Sequence, residues 1–313
     1  MNYGTLKVFS GSSHPVFVDD ICANLGLPAG KREIIKFSNE NIMVEILENV
    51  RADDVYVVQT MAPPVSDNIL ETLIMIDALK HASAARITAV LPYFPYARSD
   101  KKDQPRISIA ARLMADLVQT AGAQRVLTMN LHCAQIQGFL RIPSDQLIGG
   151  PVISQHLRRY DLDNAVLVAS DIGEVKDITH YANRLNLPIA IIDKRREGND
   201  EKAIARNIIG DIEGKDAILL DDEIASGGTM IEAIAFLMKN GVKSVRCGAV
   251  HGVLTKDAPQ RLSESPLEEI VVCDTIPVPK EKRTDKLTVL TVAPMFAEAI
   301  KRIHLGKSIS EMF

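Results

Sequence analysis

Short runs rich in Val, Ile and Leu alternate with segments of helical period along almost the whole chain. This alternation restricts the architecture more than any other feature. The apolar runs fall at Leu6–Phe9, Val55–Gln59, Ile87–Leu91, Arg125–Met129, Ala165–Ala169, Ile189–Ile192, Ala217–Leu220 and Val245–Val250. Helical patterns lie between them, including Asn68–His81, Ile107–Thr120, Lys176–Leu185 and Thr229–Lys239. A wholly apolar strand needs cover on both faces, and intervening helices supply it. The pattern predicts an α/β fold of mostly parallel sheets flanked by helices.

The halves of the chain echo each other. "TAGAQRVLTMNLH" ends a helix, turns at Gly122, runs a strand and finishes at His132; "KNGVKSVRCGAVHG" repeats the plan with Gly241 and His251. With 313 residues there is room for two cores. A duplicated α/β unit is expected, with a break near Gly149-Gly150-Pro151. The expected domains are 1–148 and 149–313, with the last residues free to pack back on the first. A net charge of −4 argues against a general nucleic-acid or membrane-surface binder. No apolar stretch reaches the ~18 residues of a membrane span. The opening MNYGTLKVFSGSSH lacks a signal-peptide layout. Cys22, Cys133, Cys247 and Cys273 are scattered, as reduced thiols of a cytoplasmic enzyme would be.

In open α/β sheets, ligands bind beyond the carboxyl ends of strands. "LLDDEIASGGTM", residues 219–230, brings an apolar run to Asp221 and Asp222 at such an end. Two carboxylates there suit the hydrogen bonds of a vicinal diol. The turn Ala225-Ser226-Gly227-Gly228-Thr229 then offers successive backbone N–H groups, two hydroxyls and a helix N-terminus, a cradle for a monophosphate. Diol and phosphate together describe a pentose 5-phosphate. "LPYFPYARSDKKDQPR", residues 91–106, places Arg98, Lys101, Lys102 and Arg106 after another strand, interleaved with Asp100 and Asp103. Arginine forks suit phosphate oxygens. His132, in "TMNLHCAQIQGF", also follows a strand directly and suits a phosphate or a metal.

The sugar-phosphate loop resembles the signature shared by phosphoribosyltransferases and by the synthetase that makes their substrate. "VFSGSSH", "KFSNEN", "ENVRADDVYVVQT", "FPYARSDKKD", "LHCAQIQGF", "DKRREG" and "DDEIASGGT" together resemble ribose-phosphate diphosphokinase over essentially the whole chain. A transferase would lack this N-terminal half. The resemblance implies transfer of the β,γ-diphosphoryl group of ATP to the 1-hydroxyl of ribose 5-phosphate, releasing AMP. It implies an ATP-binding first domain and a ribose-5-phosphate-binding second one. Phe37, Asn39, Glu40 and Asn41 would hold adenine, with help from a neighbouring subunit of a homo-oligomer, usually a hexamer. Arg98, Ser99, Lys101 and Asp103 would hold the ATP phosphates, and His132 and Asp171 would meet Mg²⁺. Asp221, Asp222 and residues 225–229 would hold the sugar phosphate. Lys194 and Arg196, in a polar lid over Asp193–Glu201, would act on the transferring group.

Some positions depart from the commonest family pattern. Asn41 stands for a Glu, Ser99 for a Gln, Asn130 for an Asp, Glu174 for a Gly, Asp177 for an Arg, Asp193 for a His and Ala225 for an Asp. Lys194, Arg196, His132 and both sugar carboxylates remain, so an active synthetase is expected. The alternative is a weakly active or regulatory subunit.

Overall fold

A computed structural model of the chain describes residues 3–196 and 203–313, and the side chains among them except at 194–196 and 203–206. The chain forms two compact units, Met1–Ile148 with Thr275–Pro277 and Thr291–Phe313, and Gly149–Asp274 with Val278–Leu290.

The first unit begins with β1 (Leu6–Ser10), α1 (Pro15–Leu25), and a hairpin of β2 (Arg32–Lys36) and β3 (Ile42–Ile46). It continues with β4 (Asp54–Val58), α2 (Val65–His81), β5 (Arg86–Leu91), α3 (Ala110–Ala121), β6 (Arg125–Met129) and β7 (Ser144–Leu147). Its main sheet has the order β1-β4-β5-β6-β7, with every pair parallel. All of β4 and Ile87–Leu91 of β5 are buried. Val55, Val57, Ile87, Ala89 and Leu91 share a core with Met75, Ile76 and Leu79 of α2 and Ala111, Ala115 and Val118 of α3. Burial on both faces explains why the sequence shows no polar alternation there.

The second unit contains α4 (Gly150–Leu157), β8 (Ala165–Ala169), α5 (Val175–Leu185), β9 (Ile189–Arg196) and β10 (Ala203–Ile209). It goes on through β11 (Asp216–Ile224), α6 (Gly228–Lys239), β12 (Ser244–Gly252), α7 (Ala258–Glu264), β13 (Glu269–Cys273) and β14 (Leu287–Leu290). Its sheet runs β10-β9-β8-β11-β12-β13-β14 and is parallel except for the β9–β10 pair. The chain then returns to the first unit as α8 (Ala293–His304), which packs on α1, with Phe296 edge-on to Phe17. A buried polar latch fixes α8. Asp54, fully buried, accepts two hydrogen bonds from Arg86 at 2.7 and 2.6 Å. The Tyr56 hydroxyl donates to the same carboxylate at 3.0 Å, and His304 Nδ1 lies 2.8 Å from it.

Parallel sheets flanked by helices are thus the architecture, as the alternation predicts. One boundary differs in a way that matters. The apolar run suggests a strand ending at Leu220, yet β11 continues to Ile224. Pairing with β8 stops at Leu219, whereas pairing with β12 persists through Asp221↔Ala249, Glu223↔His251 and Ile224↔Gly252. The neighbouring strand, not local hydrophobicity, carries the backbone onward. The expected loop from Asp193 likewise starts as strand, because Asp193 to Arg196 pair antiparallel with β10.

Candidate functional site

Asp221 and Asp222 lie on the part of β11 that outruns β8. Neither is fully buried, and the Asp222 N–H donates to Asp221 Oδ1 at 2.7 Å. Burial, then the Asp222 carboxyl, then the charge of Glu174 push the Asp221 carboxyl well above the usual carboxylate range. Their own repulsion raises the cost of ionising both carboxyls at once. The pair is suited to accept hydroxyl donors or a cation.

Five residues on, the backbone turns sharply. Gly227 has φ 72°, and an added Cβ would stand 3.1 Å from Leu262 Cδ1. Both facts call for glycine here. The loop is pinned from behind, because the Leu254 and Thr255 N–H groups donate to the Ile224 and Ala225 carbonyls at 3.0 and 2.9 Å. Helix α6 then starts with no side-chain cap. Its first-turn N–H groups have no acceptor within the helix and lie beside exposed Ser226 and Thr229, an arrangement that suits an anion.

The β8–α5 connection sits at the same end of the sheet. Asp171 Oδ1 accepts from the N–H groups of Gly173 at 2.7 Å and Glu174 at 3.2 Å. Glu174 in turn accepts from Ser170 N–H and Oγ–H, each at 2.9 Å. Tyr181 of α5 stands near Asp221 and Asp222 as well. Burial raises its phenol, as do Cys273, Asp177, Asp221 and Asp222 in decreasing order.

In the first unit, residues 37–41 form the tip of the β2–β3 hairpin. Phe37 is 47% exposed. The Phe37 N–H donates to the Asn41 carbonyl at 2.9 Å, and Asn41 N–H donates to Asn39 Oδ1 at 3.2 Å. Glu40 takes φ 67° to close the turn. An aromatic ring standing free on a rigid tip can stack on a planar base. Beyond β5, Phe94 and Ala97 are buried and anchor a loop that leaves Arg98, Lys101 and Asp103 exposed. His132 is also exposed, just past the end of β6. Ser99 has a local task. Its hydroxyl accepts from the Ala110 N–H at 3.3 Å, and its carbonyl from the Ala111 N–H at 3.1 Å, so it fastens the start of α3.

The sequence-derived residues therefore fall into two groups, the hairpin tip, Arg98 loop and His132 in the first unit and Asp171, Asp221, Asp222 and the 225–229 turn in the second. The side chains of Lys194 and Arg196, and most of the lid, lie outside the described residues. Among the described residues no three His, Cys, Asp or Glu side chains cluster to hold a metal ion. No helix among the described residues is long and apolar enough to cross a membrane.

Fold and loops define an α/β protein with two parallel-sheet units, the second bearing an acidic strand extension ahead of an uncapped Gly-Gly helix start. Residues 6–122 match the N-terminal domain of ribose phosphate pyrophosphokinase, and residues 199–313 match the phosphoribosyl synthetase-associated domain. A ribose-phosphate pyrophosphokinase of Caldanaerobacter subterraneus subsp. tengcongensis is 48% identical, covering 99% of this chain and 98% of its own. One from Clostridium acetobutylicum is 46% identical, covering 100% and 99%. The crystal structure of phosphoribosylpyrophosphate synthetase from Mycobacterium smegmatis superposes with a TM-score of 0.92 at 39% identity, covering 97% of this chain and all of that one. The chain belongs to the ribose-phosphate pyrophosphokinase family, and it is an enzyme of the phosphotransferase class.

Proposed function

We propose that the protein transfers the β,γ-diphosphoryl group of ATP to the 1-hydroxyl of ribose 5-phosphate, giving phosphoribosyl diphosphate and AMP. The observation that carries this reading is the succession of Asp221, Asp222 and the uncapped 225–229 turn on one strand–loop–helix. The carboxylates receive the sugar hydroxyls, and the α6 N–H groups with Ser226 and Thr229 receive the 5-phosphate. The 1-hydroxyl oxygen attacks the β-phosphorus and loses its proton. The bond from that phosphorus to the α,β-bridging oxygen breaks, and AMP departs with the bridging oxygen.

Phosphoryl transfer depends on alignment and charge neutralisation rather than on covalent help. Phe37, Asn39, Glu40 and Asn41 hold the adenine, and Arg98, Ser99, Lys101 and Asp103 the triphosphate. The capping role of Ser99 leaves its hydroxyl oxygen partly committed, so Arg98 and Lys101 carry most of that contact. His132 and Asp171 would each meet Mg²⁺, which when bound would supply neutralisation of phosphate charge. Lys194 and Arg196 screen the transferring diphosphate. We place the enzyme in the cytoplasm as a homo-oligomer, with a hexamer favoured. The exposed Phe37 tip suits completion of the adenine pocket by a second subunit.

Incubation with ribose 5-phosphate, ATP and Mg²⁺, resolving AMP from ADP, tests the reading. AMP together with a diphosphorylated sugar supports it. ADP would indicate an ordinary kinase, and no product from the protein alone would favour the regulatory-subunit alternative. The negative charge that Glu174 adds beside Asp221 is the observation on that alternative's side.

A further inference from the structure

The loop after β8 already holds an anion, and the anion is its own. Ser170 is 4% exposed, and both its N–H and its Oγ–H end on the Glu174 carboxylate at 2.9 Å. A backbone N–H and a hydroxyl converging on two oxygens of one carboxylate is the donor arrangement that a phosphoryl group would otherwise engage. The loop leaves β8 next to β11, whose strands are in register at Val168↔Leu219, and so opens at the sheet end that carries Asp221 and Asp222. Asp171 closes the same loop from the other side through the Gly173 and Glu174 N–H groups, which fixes where Glu174 begins.

We propose that Glu174 is an internal competitor: in the free protein it occupies the Ser170 donor pair, and a diphosphate-bearing ligand must displace it to bind beside the sugar. The identity of that ligand rests on the synthetase reading, whereas the occupied donor pair does not. Displacement costs the ligand the charge-assisted bonds that Glu174 already makes. Glu174 thereby lowers affinity for the diphosphate group, the portion common to inorganic diphosphate and the sugar product, and speeds its departure. Asp171 and the α5 start remain as they are, so the loop keeps its shape while one side chain swings.

The test is a calorimetric titration of the full-length protein with inorganic diphosphate at fixed Mg²⁺, comparing parent, Glu174→Gln and Glu174→Ala. Competition predicts that Glu174→Ala binds about tenfold more tightly than parent, the scale of one charge-assisted bond pair. Glu174→Gln should fall between, since its amide keeps an acceptor for Ser170 and loses the charge. Adding Ser170→Ala to Glu174→Ala should remove part of the gain, because it deletes the hydroxyl donor and leaves the backbone N–H. Unchanged or weaker binding by Glu174→Ala would overturn the proposal and leave Glu174 as a simple loop cap. Equal affinity of the Gln and Ala variants would also overturn it, because charge alone would then account for the gain. The titration needs no turnover. An inactive parent would therefore defeat the synthetase reading without touching this result, and an active parent with flat titrations would do the reverse.

Discussion

Replacing Asp221 with Asn separates what this carboxylate does for the ligand from what it costs the fold. In the free protein it is half-buried, beside Asp222 and within reach of Glu174, and its carboxyl is held above the ordinary value of 3.8. The sign follows from linkage. Well below that value the group is protonated folded and unfolded, so no penalty exists. As pH rises past it, the unfolded chain ionises freely while the folded one resists, and stability is lost. Like charges ~6 Å apart at an effective dielectric near 20 repel by about 3 kcal/mol, and partial exposure roughly halves this. Asp221→Asn should therefore stabilise the ligand-free protein by about 1–2 kcal/mol near pH 8, a rise in Tm of roughly 2–6 °C. The gain should shrink steadily toward pH 5. Calorimetric melts of both proteins across pH 5–8, without sugar, nucleotide or divalent cation, measure it. The same substitution should weaken ribose 5-phosphate by roughly ten- to a hundredfold, the loss of about 1.5–3 kcal/mol of charge-assisted hydrogen bonding. ATP affinity should hold. A Tm difference that is flat or negative with pH would refute the electrostatic argument, and equal losses for both substrates would refute the diol assignment.

Exposed His132, changed to Ala, should lower turnover and raise the Mg²⁺ requirement without altering the melt; a chelator should abolish turnover in the parent, and full activity in excess chelator would defeat a metal-assisted mechanism. Lys194→Ala should reduce kcat by about 10²–10³ with either KM little changed, the mark of a contact made in the transition state, measured by steady-state kinetics. Asp54→Ala should destabilise the first unit by about 3 kcal/mol, because it removes the carboxylate bonded to the half-buried Arg86 guanidinium and leaves it the Tyr56 hydroxyl and the Ile303 carbonyl, and denaturant melts report it directly.

The parallel sheets were legible because Val55–Val58, Ala165–Ala169 and their kind are short, rich in β-branched residues and buried on both faces, as covered strands are. The β2–β3 hairpin was not, since "REIIK" and "IMVEI" alternate only weakly, and the hairpin is held by β2–β3 pairing and by β3 against α2. The end of β11 was hidden for a different reason. Hydrogen bonds from β12 carry it past its apolar run, and local composition holds no trace of a partner strand's length. Side-chain roles divide in the same way. The Gly-Gly turn announces itself through backbone demands that only glycine meets. The tasks of Ser99 at α3 and Asp171 at the β8–α5 loop depend on which N–H groups lie opposite, which spacing alone does not specify.

The candidate sugar site poses an electrostatic puzzle, since it asks one stretch of chain to receive hydroxyls on carboxylates and a phosphate dianion a few residues later. A cationic side chain within 221–229 would pair with Asp221 or Asp222 and spoil the diol acceptors; the sequence places none there. The positive pole is built from backbone instead. The N–H groups at the start of α6 carry about half a unit charge, fixed in direction by the helix, and cannot swing back onto the carboxylates as a lysine could. Gly227, with its positive φ, turns the chain so that β11 ends and α6 begins without a side chain in the way. Carboxylate pair and anion cradle can thus be neighbours in sequence without neutralising each other, which explains why the glycines and the aspartates belong to a single motif.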